Sequence, residues 1–257
     1  MTPLGIDLYC GLGGWTDGLI AEGYYVVGFD NHQHVYGEHR YPAQLVLQDV
    51  LTLHGRQFKD AALIVASPPC QAYSYRAMPW KRAKALPPPD NTLFEACFRI
   101  QREASGAAGH HIPLVVENVR GAIPWVGRSR WNYGSFHLWG DVPALMPMVH
   151  KVRSHDAIKN CGGFWFAVAH NTTSGHGRNP DGRKLPERIN QRDGHTRHLT
   201  NPAEHIKGGG DWFGSGENCS LQRRENSRSP KRKMASAMIA KIPLPLAQHI
   251  ARVWKPA

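Results

Sequence analysis

The first 120 residues alternate short apolar runs with longer polar segments, and this alternation restricts the fold more than any other feature of the chain. The apolar runs are rich in Val, Ile and Leu and have the length of buried strands; they are residues 5–10, 25–30, 44–49, 62–67 and 112–117. Three intervening segments are long enough for crossover helices, namely 15–23, 32–41 and 93–105. The pattern predicts an α/β fold built around a parallel sheet with right-handed crossovers.

The sequence changes character beyond the first 140 residues. Gly, Asn, Arg, His and Thr dominate residues 141–227, and aromatic side chains are isolated in loop-like sequence. We expect a small, loop-rich second domain over 141–227, while residues 1–140 and 228–257 form the first domain.

Two helices are expected near the carboxy terminus. Ser229 followed by Pro230 is typical of a helix start and predicts a helix over residues 231–240. Beyond Pro245, apolar residues recur at helical spacing, so we expect the chain to end on an amphipathic helix packed against the sheet.

The net charge favours a polyanionic partner. The chain has 31 Lys and Arg against 20 Asp and Glu, a net charge of +11, and residues 151–233 hold sixteen of the basic and eight of the acidic side chains. Such an excess is more typical of a nucleic-acid-binding protein than of one that binds acidic metabolites. Charge alone does not distinguish that function from a solvated basic surface.

Several classes of protein are excluded. No run approaches the roughly 18 to 20 apolar residues of a membrane span, and the first residues do not resemble a signal peptide. The five cysteines form no CxxC pair, which argues against a zinc ribbon or a disulfide framework. We expect a soluble, cytoplasmic protein with no metal, no membrane contact and at least one free cysteine.

The first candidate site is the glycine-rich sequence DLYCGLGG, residues 7–14, between the first strand and the first helix. Glycines at this place let the backbone turn tightly and approach a ligand. Asp30 ends the second strand, where a carboxylate accepts both ribose hydroxyls of a nucleotide. Asp49 ends the third strand and would accept from an adenine amino group. The GxGG order differs from the GxGxxG of dinucleotide sites.

The second candidate site is SPPCQ, residues 67–71, directly after the fourth strand. Two prolines stiffen this turn and present Cys70 from a rigid loop at the edge of the sheet. A thiolate in such a polar loop can be exposed and reactive, although most buried cysteines are structural.

The third candidate site is VVENV, residues 115–119, which ends the fifth strand. A carboxyl group at the end of a buried strand keeps a proton near neutral pH and can deliver it to a heterocycle nitrogen. Glu117 is the candidate proton donor, and Asn118 would fix its geometry. A capped strand end would account for Glu117 alone.

Together these residues resemble a known family, the DNA cytosine-5 methyltransferases that use S-adenosylmethionine. DLYCGLGG is similar to the cofactor loop of that family, SPPCQ to its nucleophile loop and ENV to its proton-donor motif, and the three occur in the family's order. GRSR (127–130) resembles its arginine motif, NTLF (91–94) the start of its cofactor-side helix, and IPLPLA (242–247) its last motif. The carboxy-terminal sequence is similar to that of short phage and prophage members of the family.

The resemblance implies a Rossmann-like methyltransferase sheet with a target recognition domain at 141–227. It implies that Cys70 attacks a flipped cytosine in double-stranded DNA, that Glu117 protonates the base, and that Arg128 and Arg130 stabilise it. The implied cofactor is S-adenosylmethionine, bound by Asp7, Leu8, Cys10, Gly11, Gly13, Gly14, Asp30, Asn31, Asp49, Val50, Pro68 and Leu93. We expect a monomer, and a cognate restriction enzyme as partner is left open.

Two motifs depart from the family pattern. Val126 stands where the arginine motif usually opens with glutamine, which leaves the register of the two arginines open. Ile239 and Ala240 stand where the last motif usually has a Gly-Asn pair. The bracing of the recognition domain by that pair is therefore not implied here.

Other functions remain open at this stage, and the departure in the last motif leaves open a modified cofactor that donates a group larger than methyl. An RNA cytosine-5 methyltransferase of the tRNA type would share the sheet and the chemistry, although Gln71 fits the DNA group better. A catalytically silent DNA-binding relative would be expected to have lost the Cys or the Glu. A nicotinamide-dependent oxidoreductase is disfavoured by the GxGG spacing.

Overall fold

The computed structural model describes residues 2–74, 85–146, 200–201, 206–207 and 230–256. Within these residues the strands are β1 (Leu4–Leu8), β2 (Tyr25–Asp30), β3 (Val35–Tyr36), β4 (His39–Arg40), β5 (Gln44–Leu47), β6 (Ala61–Ala66), β7 (Leu114–Val119), β8 (Trp131–Tyr133), β9 (Phe136–Gly140), β10 (Thr200–Asn201) and β11 (Ile206–Lys207). The α-helices are α1 (Gly14–Ala21), α2 (Thr92–Ala108), α3 (Ile123–Val126), α4 (Pro230–Ala240) and α5 (Leu244–Val253), and short 3-10 turns span Val50–Thr52, Gly55–Phe58 and Arg120–Ala122.

The central sheet has the order β5-β2-β1-β6-β7-β9-β8. The first five strands are parallel, while β9 runs antiparallel to both β7 and β8. From β1 the chain adds β2 and β5 on one side and then β6 and β7 on the other, where β9 lies next to β7 and β8 forms the edge. Ligands of such open α/β sheets bind where the strand order reverses, beyond the carboxyl ends of the strands. The predicted Rossmann-like α/β fold is confirmed, with an antiparallel extension that the sequence did not indicate.

The apolar strands bury side chains on both faces of the sheet. On β6, Leu63 and Val65 join the cluster that packs against α1 and α5, whereas Ile64 and Ala66 join the cluster that packs against α2. All four side chains are fully buried. This two-sided burial explains why these strands appear in the sequence as continuous apolar runs instead of an alternating pattern.

One predicted helix is wrong. Residues 32–41 contain the short antiparallel pair β3 and β4 in place of a crossover helix. Gly37 turns the chain between them with a φ of 61°, in the left-handed region that favours glycine. Pro42 follows directly, and it disfavours helical backbone at Tyr41.

The carboxy-terminal helices agree with expectation. Helix α4 spans Pro230–Ala240 and the amphipathic α5 spans Leu244–Val253. Leu246 and Ile250 of α5 are completely buried in the cluster that contains Trp15 of α1. Ser229, the predicted N-cap, lies outside the described residues.

The chain divides into two compact units, one formed by Met1–His150 with Lys241–Ala257 and the other by Lys151–Ala240. The structure describes β10, β11 and α4 of the second unit, and β10 pairs with β11 in antiparallel fashion. The assignment of residues 141–227 to target recognition stays a prediction, because nearly all of them lie outside the described residues. None of the described helices combines the length and hydropathy that a membrane crossing requires.

The contact between α1 and α5 depends on a glycine. A Cβ atom at Gly18 would lie 2.6 Å from the backbone nitrogen of Gln248 and would overlap Ala247. Backbone atoms cannot move aside as a flexible side chain does. We therefore expect Gly18→Ala to lower the free energy of unfolding by about 1–3 kcal/mol, measured by urea denaturation.

Gly106 provides the matched control for this change. It is an exposed position of α2, and a Cβ there would meet nothing within 4 Å among the described residues. Gly106→Ala should raise the free energy of unfolding by up to about 1 kcal/mol, since alanine favours a helix over glycine. Equal effects of the two substitutions would contradict the packing argument.

Candidate active site

The loop after β1 combines close packing with one open position. Its backbone is left-handed at Tyr9, Gly11 and Gly13, with φ values of 57°, 50° and 75°. A Cβ at Gly13 would come within 2.5 Å of Pro42, so glycine is required there. A Cβ at Gly11 would meet no described atom within 4 Å beyond its chain neighbours. The loop therefore leaves room for a ligand beside Gly11.

Asp30 at the end of β2 is joined to this loop. Its Oδ2 accepts a hydrogen bond from the Gly11 amide at 3.0 Å, and its Oδ1 accepts from the His32 amide at 3.1 Å. Burial raises the pKa of Asp30, but the His34 side chain and these two amides outweigh that effect and hold the pKa below its usual value. The structure thus brings two predicted cofactor residues together and keeps the carboxylate ionised.

Asp49 and its neighbours lie at the next strand end. β5 ends at Leu47, two residues before Asp49, and the Asp49 side chain accepts from the Leu51 amide at 2.9 Å. Asp49 and Asn31 are exposed, whereas Val50 is buried. Both carboxylates, Asp30 and Asp49, therefore follow neighbouring parallel strands on one edge of the sheet.

Leu93 lies against the glycine loop from the other side. The Tyr9 hydroxyl donates a hydrogen bond of 2.9 Å to the Leu93 carbonyl, which joins the first turn of α2 to the loop after β1. Leu93 is half-buried, and Pro68 beyond β6 is buried. These residues surround the reversal of strand order between β1 and β6.

Four of the predicted cofactor residues have a packing role in this structure. Leu8 is buried in the apolar cluster on the α2 side of the sheet; Cys10 is buried too, and this burial raises the pKa of its thiol. A Cβ at Gly14 would overlap the backbone of Ile242. Asp7 is buried beneath the loop, and the Thr16 hydroxyl donates to its Oδ2 at 2.6 Å.

Asp7 carries an unusual buried oxygen. Its Oδ1 has no hydrogen-bond partner among the described residues, and burial raises the pKa of Asp7 to about 7. The Thr16 hydroxyl, which bonds the other oxygen, lies 2.7 Å from the Tyr41 hydroxyl. A carboxyl group with this environment is only partly ionised at neutral pH.

The loop after β6 holds Cys70 in a defined turn. The Cys70 carbonyl accepts from the Tyr73 amide at 3.0 Å and from the Ser74 hydroxyl at 2.9 Å. Asn118 of β7 donates from Nδ2 to the Pro68 carbonyl at 2.9 Å. The half-buried Cys70 is a free thiol, as are Cys10 and Cys97 within the described residues.

Electrostatics relate Cys70 to Glu117. Burial is the main cause that raises the pKa of the Cys70 thiol; a hydrogen bond with Ser74 opposes it, and negative charge on Glu117 adds to it. Burial also raises the pKa of Glu117 to about 8, against a hydrogen bond with Ser67. Glu117 is therefore mostly protonated at neutral pH and then places no charge beside the thiol.

The position of Glu117 follows from the sheet. Parallel pairing of β7 with β6 ends at Val116, while its antiparallel pairing with β9 continues through Glu117 to Val119. Glu117 and Asn118 thus lie within a strand, one and two residues beyond the parallel ladder, instead of at the strand end that the sequence predicted. The ladder with β9 fixes their backbone.

The arginine segment is anchored by its backbone. The Gly127 carbonyl accepts from Trp139 Nε1 at 2.9 Å, and the Arg130 amide donates to the Leu138 carbonyl at 2.8 Å. Leu138 pairs with Glu117, so the Arg130 backbone lies about two strand spacings, roughly 10 Å, from that residue. The side chains of Arg128 and Arg130 are exposed, and within the described part of the chain neither forms an ion pair.

Several site residues were missed by sequence reasoning. Trp15 donates from Nε1 to the Ser67 hydroxyl at 3.0 Å, and the Tyr73 hydroxyl donates to Asn91 Oδ1 at 2.8 Å. Ser67 and Asn91 belong to motifs that the sequence singled out, yet their partners are distant in sequence and only the fold identifies them. His34 lay in the segment that was predicted as a helix, which gave no reason to place it at the site.

Comparison with known proteins identifies the family of this region. Residues 4–124 match the family model of C-5 cytosine-specific DNA methylases, and this segment contains the glycine loop, Cys70 and Glu117. This segment belongs to the C-5 cytosine-specific DNA methylase family. The matched residues of this methylase domain include the loop after β1, the loop after β6 and the strand β7. No curated protein sequence matches the chain.

Solved structures show weak similarity to the methylase domain. A prophage-encoded protein from E. coli, assigned as a DNA modification methyltransferase, is 22% identical, with 48% of this chain and 33% of that chain covered and a TM-score of 0.33. Dnmt2 methyltransferase from S. pombe is 18% identical over 48% of this chain and 36% of its own, with a TM-score of 0.32. A DNMT2 mutant from Spodoptera frugiperda is 18% identical over 49% and 38%, also at 0.32. The chain thus spans between 33% and 38% of the length of these proteins.

Ionisation of Glu117 should make stability fall as pH rises. Its pKa is about 8 in the folded methylase domain against an ordinary value of 4.5, so between these values the folded state binds more protons than the unfolded state. The free energy of unfolding then decreases with rising pH, by up to about 1.4 kcal/mol per pH unit from this group. We expect Glu117→Gln to remove that contribution between pH 5 and 8, measured by urea denaturation.

Glu95→Gln is the control for loss of a carboxylate. Glu95 is an exposed residue of α2, and its replacement should leave the pH dependence of the wild type unchanged. The contribution of Asp7 is common to all three proteins. A Glu117→Gln protein with the wild-type slope would show that Glu117 is ionised throughout this range.

Proposed function

We propose that this chain is a DNA cytosine-5 methyltransferase that uses S-adenosylmethionine and forms a transient covalent bond between Cys70 and the target base. The observation that carries the proposal is the pairing of a half-buried thiol, Cys70, with a buried carboxyl group, Glu117, on loops and strands that are hydrogen-bonded to each other. The match of residues 4–124 to the C-5 cytosine-specific DNA methylase family supports the same chemistry.

The residues at the reversal of strand order fit S-adenosylmethionine. The open position at Gly11 gives a ligand access to the backbone, and the ionised Asp30 carboxylate would accept from ribose hydroxyls. The exposed Asp49, with Asn31 and Val50 nearby, would contact the adenine ring. Pro68 and Leu93 would enclose the ligand from the loop after β6 and from α2. When bound, S-adenosylmethionine supplies an electrophilic methyl group on a sulfonium sulfur.

Cys70 and Glu117 would activate the cytosine together. Carbon C5 of cytosine is a poor nucleophile; attack of the Cys70 thiolate on C6, with the thiol proton lost to solvent, makes C5 enamine-like. Glu117 donates its proton to N3 during this addition and takes it back later. After C5 has been methylated, loss of the C5 proton to solvent re-forms the double bond and expels the thiolate.

The state of Glu117 suits both steps. A protonated Glu117 can donate to N3. It also carries no negative charge that would repel the attacking thiolate. Ser67 and its bond to Trp15 would hold the carboxyl group in place. We assign Arg128 and Arg130 to stabilisation of the bound base near O2, with their side chains turned inward when DNA is present.

The acceptor proposed is a cytosine in double-stranded DNA. The target carbon is inaccessible within the duplex, so the base must leave the stack at a cost of a few kcal/mol. Phosphate contacts from the basic residues of 151–233 would offset that cost, and loops of 141–227 would recognise the flanking bases. We propose that the protein acts as a monomer; a cognate restriction enzyme would cleave the same sequence when unmodified.

Adduct formation tests the nucleophile. Duplex DNA containing 5-fluorocytosine, incubated with S-adenosylmethionine, should become covalently attached to the wild-type chain, because fluorine at C5 blocks the final elimination. Cys70→Ala should abolish both the adduct and tritiated methyl transfer to unmodified DNA. Glu117→Gln should slow methyl transfer by about 10²–10⁴-fold, while Glu95→Gln should leave it unchanged.

The same assay separates the acceptors. Random duplex DNA and total tRNA are offered in parallel with tritiated S-adenosylmethionine, and we expect incorporation into DNA that depends on Cys70. Incorporation into tRNA alone would replace the DNA assignment by an RNA one. Binding of DNA without adduct or methyl transfer would indicate a silent relative.

A further inference from the structure

His34 lies against the carboxylate assigned to ribose binding. The imidazole Nε2 is 3.6 Å from Asp30 Oδ1, an ion-pair distance that is too long for a strong hydrogen bond. The side chain of Asp30 is 11% exposed and that of His34 is 31% exposed. His34 directly precedes β3, so the hairpin that replaces the predicted helix holds the imidazole at this edge.

The acceptor capacity of Asp30 is nearly filled by the protein. A carboxylate offers about four acceptor positions, two on each oxygen. The Gly11 amide uses one position on Oδ2, the His32 amide uses one on Oδ1, and the His34 imidazole covers the other approach to Oδ1. A ribose that donates one hydroxyl to each oxygen must therefore displace His34.

We propose that His34 determines the affinity of the ribose site by competing with the ligand for Oδ1 of Asp30, and that it competes more strongly when its imidazole is protonated. This inference rests on the proposed function, which assigns ribose binding to Asp30. A charged imidazole pairs with the carboxylate and a neutral one does so weakly. Ligand affinity should accordingly fall as the pH is lowered.

Other titratable side chains lie around Asp30 and His34. The His32 ring lies 6.5 Å from the His34 ring and the Tyr36 ring stacks at 6.4 Å. On the inner side, Asp30 acts electrostatically on the buried Asp7 and Cys10. The Asp30 carboxylate raises the pKa of His34, against the opposite effect of partial burial. Asp7 titrates in the same range, so only a comparison of variants isolates His34.

The experiment measures binding of S-adenosylhomocysteine to the full-length protein by isothermal titration calorimetry between pH 5.5 and 8.5. This ligand has the same ribose but no sulfonium charge and cannot transfer a methyl group. For the wild type we expect the dissociation constant to rise toward pH 5.5. For His34→Ala and His34→Gln, binding at pH 5.5 should be about two- to fivefold tighter than that of the wild type, and this difference should become smaller as the pH rises.

His39→Ala is the matched control, because His39 is an exposed residue of the same hairpin. It should keep the wild-type profile. A profile that is unchanged in both His34 variants, or that is flattened equally by His39→Ala, would overturn the inference while leaving cofactor binding in place. Absence of binding by the wild type at every pH would instead refute the proposed function, and the inference with it.

A second readout uses thermodynamic reciprocity. If protonation of His34 weakens ligand binding, then ligand binding must lower the pKa of His34 by the same factor. Titration of the His34 ring proton by NMR, with and without S-adenosylhomocysteine, should show that decrease, with the resonance assigned from the His34→Gln spectrum. An unchanged or increased His34 pKa in the complex would exclude displacement by the ligand.

Discussion

The carboxyl group of Glu117 is buried in a sheet whose adjacent strands are apolar, and this burial governs the electrostatics of the candidate site. Val115 and Val116 before it are completely buried, as are Ile64 and Val65 on β6. Ionisation in such surroundings is costly, so the proton remains until pH values near 8. A group in this state can act as an acid near neutral pH, and while it is protonated it places no charge beside the Cys70 thiol.

That burial requires helices on both faces of the sheet. One face is covered by α2 and the other by α1 with α5. The carboxy-terminal α5 reaches this position because Gly18 of α1 allows the two helices to meet at backbone distance. Helix α5, more than a hundred residues from Glu117 in sequence, therefore completes the cover on one face of the sheet that contains this residue.

Hydrogen bonds between loops fix the site in the absence of a ligand. Asn118 joins β7 to the loop of Cys70, and Asn91 joins Tyr73 of that loop to the Trp125 carbonyl of α3. Tyr9 joins the glycine loop to α2. A site held in this way loses little conformational freedom when a ligand binds, which favours affinity and correct orientation.

The sequence predicted the part of this structure that depends on local pattern. All five parallel strands are near their predicted positions, because strands buried on both faces are continuous apolar runs of recognisable length. The helix predicted over 32–41 was wrong because that prediction rested on the length of the segment, whereas the turn at Gly37 and the following Pro42 favour a hairpin. The pair β8 and β9 was missed, since its residues include few of the aliphatic side chains that mark a buried strand.

The same limit applies to the site. Asp30, Cys70 and Glu117 could be singled out because each follows or ends an apolar run. The partners of Asp30 and Glu117 could not, because His34 owes its contact to the conformation of the chain after β2 and Ser67 is distant from Glu117 in sequence. Patterns of single residue types identify the reactive groups, while the hydrogen bonds that tune them depend on the folded backbone.

Three carboxyl groups near the carboxyl edge of this sheet differ in charge because their burial and their hydrogen-bond donors differ. Asp30 receives two backbone amides and faces an imidazole, which stabilise the ion despite partial burial. Asp7 is completely buried, and its hydrogen bonds to Thr16 do not outweigh that burial; Glu117, also buried, has a single hydroxyl donor, so both keep a proton to higher pH. Separation of acidities by environment is what allows one sheet edge to offer both a hydrogen-bond acceptor and a proton donor. The burial of each carboxyl group and the donors around it, more than its position in the sequence, determine which of the three is ionised at neutral pH.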